Sequence, residues 1–369
     1  MIAIPQLSDL AARLREEFRR GDSPWADSHF DALAREVFAA QFEFNPVLQR
    51  VARAAGKTPE RIAHWTEIPT LPTRAFKEFA VTCLPETHRP REFWSSGTTQ
   101  RDRSRHFHDA ESLHLYECSL VPWFQKHLLP AWGATPEFAE VIALTPSPEA
   151  APNSSLVHMF GTVLREFARE RDGFFARIDA DGAWQLDLER LLPRLETLIT
   201  AGRPVLLMGT AFSFVHLTEV LEAAGRKLTL PPGSAALETG GYKGRSRELP
   251  KAELLQSITR WLGMGVHGIV SEYGMSELSS QAYDHVAGDE APRVFRFPPW
   301  CRARVISPET GREVAVGECG LLHLHDLANV WSVMGIQTED LARRGEDGFE
   351  LIGRATAAPA RGCSLMPTP

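Results

Sequence analysis

The sequence predicts an α/β protein: a helical amino-terminal region, a covered and mostly parallel sheet, and a smaller β subdomain at the carboxyl end. Three observations carry this. Residues 1–90 repeat apolar side chains at helical spacing. Residues 138–272 alternate short apolar runs with amphipathic segments. From residue 293 onward the pattern alternates residue by residue, between turn signals. The expected divisions are 1–90, 91–290 and 291–369.

Each element follows from its residues. Leu10, Leu14 and Phe18 recur at i, i+4 and i+8, and Phe30, Leu33, Val37 and Phe38 continue a helical face. The prolines of Ile68-Pro69-Thr70-Leu71-Pro72-Thr73 stop the helix and predict an extended connector. Strands are expected at Phe138–Leu144, Pro204–Met208, Ser234–Leu237 and Gly268–Ser271. Helices are expected at Ser155–Ala168, at Phe212–Ala224 ending on Gly225, and at Lys251–Leu262. Strands alternating with helices imply a parallel sheet covered on both faces, with ligands held in loops beyond the carboxyl ends of the strands. In the last part, Arg302–Ser307, Arg312–Val316 and Gly320–His325 read as strands, the first two joined by the turn Pro308-Glu309-Thr310-Gly311. Met366–Pro369 reads as a frayed tail.

Composition narrows the class. The 369 residues are 43% hydrophobic and 24% charged, which gives ample core and argues against disorder. A net charge of -7 argues against a general nucleic-acid binder. Cys83, Cys118, Cys301, Cys319 and Cys363 are irregularly spaced and form no disulfide framework, and no CxxC pair suggests structural zinc. No signal peptide and no membrane span is expected, so the expected location is cytoplasmic. His106 and His108 alternate, as do His323 and His325, but neither pair has an evident third ligand. The chain lacks G-x-x-x-x-G-K-[ST] and G-x-S-x-G, which argues against a P-loop NTPase and a serine hydrolase.

Chemistry concentrates where loops are expected. In Trp94-Ser95-Ser96-Gly97-Thr98-Thr99-Gln100-Arg101, hydroxyls crowd one glycine, a composition that suits a phosphate nest as well as a plain turn. Glu238-Thr239-Gly240-Gly241-Tyr242-Lys243-Gly244 follows a strand; its glycines would let backbone approach a flat ligand and Tyr242 offers a stacking face, or it is a simple turn. In Ser271-Glu272-Tyr273-Gly274-Met275-Ser276-Glu277, a carboxylate just past a buried strand is placed to hold Mg²⁺. Asp340, in Gln337-Thr338-Glu339-Asp340, could accept from ribose hydroxyls, and Arg354 could bind phosphate; Asp347-Gly348 between them is also a hairpin turn. Phe212, Phe214 and His216 suit either an acyl pocket or helix core.

The order of these motifs resembles the adenylate-forming superfamily of acyl-CoA synthetases, peptide-synthetase adenylation domains and firefly-type luciferases, from Trp94 to Arg354. Phe42-Glu43-Phe44-Asn45-Pro46, the Ile68–Lys77 stretch, Gly240–Arg245, Ser271–Tyr283 and Gly353–Leu365 resemble more closely the acyl-protein synthetase, or LuxE-type, family, the fatty-acid-activating component of bacterial luminescence systems. That resemblance implies ATP-dependent conversion of a carboxylic acid, of fatty type, to acyl-AMP and transfer to a cysteine thiol, with an acyl-CoA-reductase-like protein among the expected acceptors. By resemblance, Ser95, Ser96, Gly97, Thr98 and Thr99 cradle the ATP phosphates, and Gly240, Gly241 and Tyr242 lie beside adenine. Tyr273 and Gly274 form the nucleotide wall, Glu277 holds Mg²⁺, and Asp340 binds ribose beside Arg354. Cys363 stands at the place of the acyl-accepting cysteine on a terminal arm, and Arg361 nearby would favour its thiolate.

Two departures accompany the resemblance. The family's phosphate loop continues with a glycine and later a lysine; here Gln100 and Arg101 follow, leaving Arg101, Arg103 or Arg105 to supply the cation. The chain stops soon after Arg354, so no carboxyl-terminal lid domain is expected. An aryl- or acyl-CoA ligase like the phenylacetate enzymes, and a catalytically weak nucleotide-binding partner, remain alternatives.

Overall fold

The computed structural model describes residues 4–21, 23–95, 103–130, 140–240 and 249–355. The chain begins with helices α1 (Pro5–Arg19), α2 (Asp27–Phe44) and α3 (Pro46–Ala54). Leu7, Leu10, Ala11, Leu14 and Phe18 form the buried stripe of α1. Asn45 ends α2 and caps α3, accepting from the N–H groups of Val47 and Leu48, while Pro46 stands where a helix needs no donor. The expected connector contains β1 (Leu71–Pro72), followed by the single turn α4 (Ala75–Glu78). Strands β2 (Arg91–Trp94) and β3 (Arg105–His108) form an antiparallel hairpin around the hydroxyl-rich stretch.

The α/β layer follows: α5 (Ala110–Leu128), β4 (Glu140–Ala143), α6 (Ser155–Phe167), the small hairpin of β5 (Ala176–Ile178) and β6 (Trp184–Leu186), and α7 (Leu188–Thr200). Then come β7 (Val205–Gly209), α8 (Ala211–Ala223), β8 (Ala235–Glu238), α9 (Lys251–Leu262), β9 (Ile269–Tyr273) and β10 (Ala282–Tyr283). The strand order is β10-β9-β8-β7-β4, parallel except for β10. Alternate side chains explain the uninterrupted apolar runs. Ile142, Val205, Leu207, Ala236 and Ile269 pack with α7, α8 and α9, and Phe214 belongs to that core. Val141, Leu206, Met208, Leu237 and Val270 pack with α5 and α6 on the other face.

The second sheet contains β11 (Cys301–Ile306), β12 (Cys319–Asp326), β13 (Gly335–Arg344) and β14 (Phe349–Arg354). β1 pairs parallel with β13, and the order runs β1-β13-β12-β11 with β14 on β13. The strand expected at Arg312–Val316 is not formed; the segment makes one bridge, Glu313 to Ile306. Ser307 N–H closes the loop onto the carbonyl of Arg312, and the chain then turns away at Gly317, whose φ of 88° is a left-handed conformation. Leu10, Phe18, Phe38, Val305, Leu322, Leu324 and Ile336 share one core, so the amino-terminal helices cover this sheet. No described helix is long and apolar enough to cross a membrane.

Candidate functional site

The β2–β3 hairpin reaches the end of β9 through its base. Ser104 N–H donates to Ser95 Oγ at 2.9 Å, and Ser95 N–H donates to the Ser104 carbonyl at 3.2 Å. Ser104 Oγ then donates to Glu277 Oε1, while Ser276 Oγ donates to Glu277 Oε2 at 3.0 Å. Glu277 is 5% exposed, so it is no surface glutamate. Burial pushes its carboxyl up, against the hydroxyl hydrogen bonds and the charge of Lys77.

Residues after Glu277 are fixed by the second sheet. Asp326 Oδ2 accepts from the N–H groups of Ser279 and Ser280, and Oδ1 accepts from Ser280 Oγ at 2.7 Å. Asn329 Nδ2 donates to the Glu277 carbonyl at 2.8 Å, and Ser279 Oγ donates to Asn329 Oδ1. Gln41 Nε2 in turn donates to the carbonyls of Asn329 and Val330. Glu277 is therefore held from three directions: its own sheet, the hairpin and the second sheet.

Tyr273, Asp340 and Arg354 also come together. Tyr273 O–H donates to Asp340 Oδ2 at 2.7 Å, and its ring stands edge-on to Phe349 and Phe297. Burial and the neighbouring Asp340 charge push the Tyr273 phenol far up, so it stays a donor. Asp340 and Arg354 are register partners in the β13–β14 ladder, with Arg354 Nε 3.6 Å from Asp340 Oδ1 and 82% of the Arg354 side chain exposed. Thr338 Oγ1 accepts from Asp340 N–H and donates to the Leu322 carbonyl, fixing the strand behind the carboxylate.

Gly240 follows β8 with φ of 63°, and its N–H donates to Glu238 Oε1. Ser95, Gly240, Tyr273, Gly274, Glu277, Asp340 and Arg354 are described. Ser96, Gly97, Thr98, Thr99, Gly241, Tyr242 and Cys363 lie outside the described residues.

Sequence reasoning passed over Glu238, Glu272, Ser104 and Lys77. Glu238 ends β8 and Glu272 lies one residue from the end of β9, the placement that singled out Glu277; applied evenly, that rule would have found them. The Glu272 carboxylate occupies the space where a Cβ at Gly274 would stand. Burial, reinforced by Glu238, pushes Glu272 up to about 8. Lys77 and Ser104 gave no periodic or spacing signal.

The histidine pairs have structural partners. His106 Nδ1 lies 2.9 Å from the Ser276 carbonyl and His108 Nδ1 3.2 Å from Ser112 Oγ. His323 Nδ1 meets Thr70 Oγ1, and the His325 ring stands edge-on to Trp65. Among the described residues, no group of three or more His, Cys, Asp or Glu could hold a metal. A buried carboxylate ringed by hydroxyls still offers the hard oxygen donors that Mg²⁺ takes, provided phosphate oxygens complete its shell.

The sheets and the site between them define the class. The fold is that of adenylate-forming ligases: an open form of 2-hydroxyisobutyryl-CoA ligase, solved with its acyl-AMP and CoA, superposes with TM-score 0.66 at 13% identity, over 91% of this chain and 77% of that one. The same enzyme in its thioesterification state gives 0.64 at 14% identity, covering 91% and 69%. The family described as acyl-protein synthetase, LuxE, matches residues 56–367, and this chain belongs to it. The long-chain-fatty-acid–luciferin-component ligase of Aliivibrio fischeri is 23% identical over 192 residues, a match spanning 49% of this chain and 50% of that protein.

Proposed function

We propose that this chain uses ATP to activate a carboxylic acid, of fatty-acid type, and passes the acyl group to a protein thiol. The observation that carries the reading is the bond from Ser104 to Glu277, which joins the base of the hydroxyl-rich loop to the buried carboxylate. Ser95, Ser96, Gly97, Thr98 and Thr99 would hold the phosphates, with Arg354 at the edge. Gly240, Gly241, Tyr242, Tyr273 and Gly274 would flank adenine, and Asp340, oriented by Tyr273, would accept from the ribose hydroxyls. Glu277 would hold Mg²⁺, which offsets charge on the phosphates when bound.

In the first step a carboxylate oxygen of the acid attacks the α-phosphorus. The bond from that phosphorus to the β-bridging oxygen breaks, and pyrophosphate leaves with the electron pair. In the second step a thiolate attacks the acyl carbonyl and the bond to AMP breaks. Cys363 is the proposed thiol. Cys83 and Cys301 are buried, and burial pushes both thiols up, away from the reactive form. The name of the Aliivibrio relative supports a long-chain fatty acid and a protein acceptor. A cytoplasmic setting suits the demand for ATP.

With ATP, Mg²⁺ and an acid from a chain-length panel, intact-mass spectrometry should show one hydroxylamine-sensitive acyl adduct on Cys363. Cys363→Ser should still form acyl-AMP but pass little of it to thiols. An unmodified wild type, with abundant acyl-CoA when CoA is supplied, would make the chain a CoA ligase instead.

A further inference from the structure

Alternation along β9 gives the site two sides. Tyr273 turns toward Asp340, so Glu272 faces the opposite way, with Val270, against α5 and α6. The Glu272 carboxylate and the Gln281 side chain both crowd the space beside Gly274. Gln281 Nε2 donates to the Tyr116 hydroxyl of α5 at 3.1 Å. Glu272 is partly exposed although Tyr116 and Gln281 beside it are buried, which places its carboxyl in an open recess.

The hairpin walls the same recess. Phe93, His106 and His108 share one face of β2–β3. The Phe93 ring centre lies 6.2 Å from that of Tyr116 and 4.8 Å from that of His108. His106, 4.2 Å from His108, reaches the Ser276 carbonyl next to Glu277. With ribose assigned to Asp340 on one side of β9, this recess on the other side is left for the acid that attacks the α-phosphorus.

Its polar groups lack partners. Among the described residues, the Glu272 carboxyl makes no hydrogen bond and the Tyr116 O–H has no acceptor. His108 is 1% exposed; its Nδ1 meets Ser112 Oγ, and its Nε2 has no partner among the described residues. An unsubstituted hydrocarbon chain would leave all three unsatisfied, at a cost in binding. An ammonium could donate to the carboxyl but has no lone pair to accept from Tyr116. A hydroxyl does both. Burial keeps Glu272 largely protonated at neutral pH, which also suits an uncharged partner.

We propose that Glu272 and Tyr116, with His108 beside them, bind the acid substrate and select one whose chain carries a hydroxyl group, held between the Glu272 carboxyl and the Tyr116 O–H. This deepens the adenylation reading and rests on it.

Acid-dependent exchange of labelled pyrophosphate into ATP tests the proposal. The panel pairs each unsubstituted acid with hydroxyl and amino counterparts of the same chain length, substituted at successive positions. The wild type should favour one hydroxylated acid over its parent by about a hundredfold or more in kcat/KM. Glu272→Met should bring that ratio to within about threefold of unity, and Tyr116→Phe, which keeps the ring, should lower it about tenfold. A ratio within one variant does not depend on how much of that variant is folded. Parent acids exchanged as well as hydroxylated ones by the wild type would overturn the proposal and leave adenylation standing, as would a preference for the amino acids. A preference that survives both substitutions would overturn the assignment to Glu272 and Tyr116. Exchange with no acid at all would remove the adenylation reading, and this inference with it.

Discussion

Tyr273 shows how one atom can serve two ends. Its ring belongs to the aromatic cluster with Phe295, Phe297 and Phe349, while its hydroxyl holds Asp340. Tyr273→Phe keeps the packing and removes the donor. Stability should fall by about 1–2 kcal/mol, and AMP affinity should fall because Asp340 is no longer oriented. Unchanged AMP binding by calorimetry would show that Asp340 is not held for the nucleotide. Glu272 makes a pH prediction. Its folded pKa of about 8 lies above its ordinary 4.5. Its contribution to stability is therefore complete below pH 4.5 and lost as pH rises through about 8. Relative to Glu272→Gln, the wild type should lose about 1–2 kcal/mol between pH 6 and 9, a figure reduced because the side chain is only half-buried. Urea titrations at the two pH values check this; a constant difference would mean that Glu272 is ionised throughout.

At the level of elements, the legible parts were those whose environment writes a simple pattern. Val205–Gly209 is covered on both faces, so it reads as an apolar run. Lys251–Leu262 buries Leu254, Leu255, Ile258 and Leu262 on one stripe and ends on left-handed Gly263, and its expected bounds match. The β5–β6 hairpin escaped notice because each strand is only three residues long, too short for its alternation to stand out, and its residues are exposed or only partly buried. Arg312–Val316 misled because Val314 and Val316 stand two residues apart, at strand spacing, yet Val314 alone enters the core and Val316 is 54% exposed. The site was legible by residue type but not by contact: no spacing reveals that Ser104 meets Glu277 across 173 positions. Ser104→Ala should leave the hairpin paired through backbone yet free Glu277 from it. The Mg²⁺ concentration needed for half-maximal pyrophosphate release should rise severalfold, with ATP affinity in EDTA unchanged. An unaltered Mg²⁺ dependence would separate the hairpin from the proposed metal ligand.

Across the whole molecule, the two sheets are tied by a buried polar knot. Asp326 is fully buried and accepts from Ser279, Ser280 and Ala328; burial pushes its carboxyl up, and these donors only partly restore it. Asp326→Ala would strand those donors and should cost about 2–4 kcal/mol, with Asp326→Asn recovering part. Because Glu277 is held by the same knot, Asp326→Ala should also weaken adenylation in the fraction that remains folded, measured by urea unfolding and acyl-AMP yield together. Loss of stability with full acyl-AMP yield would mean that the knot serves the fold alone.

The central claim is that Glu277 and its surroundings activate an acid through its adenylate. Acid-dependent exchange of labelled pyrophosphate into ATP measures that step without needing the thiol acceptor. The wild type should exchange label only when a suitable carboxylic acid is present, Cys363→Ser should exchange equally well, and Glu277→Gln should be slowed by about a hundredfold. Exchange that persists undiminished in Glu277→Gln, or that never appears with any acid in the panel, would contradict the account.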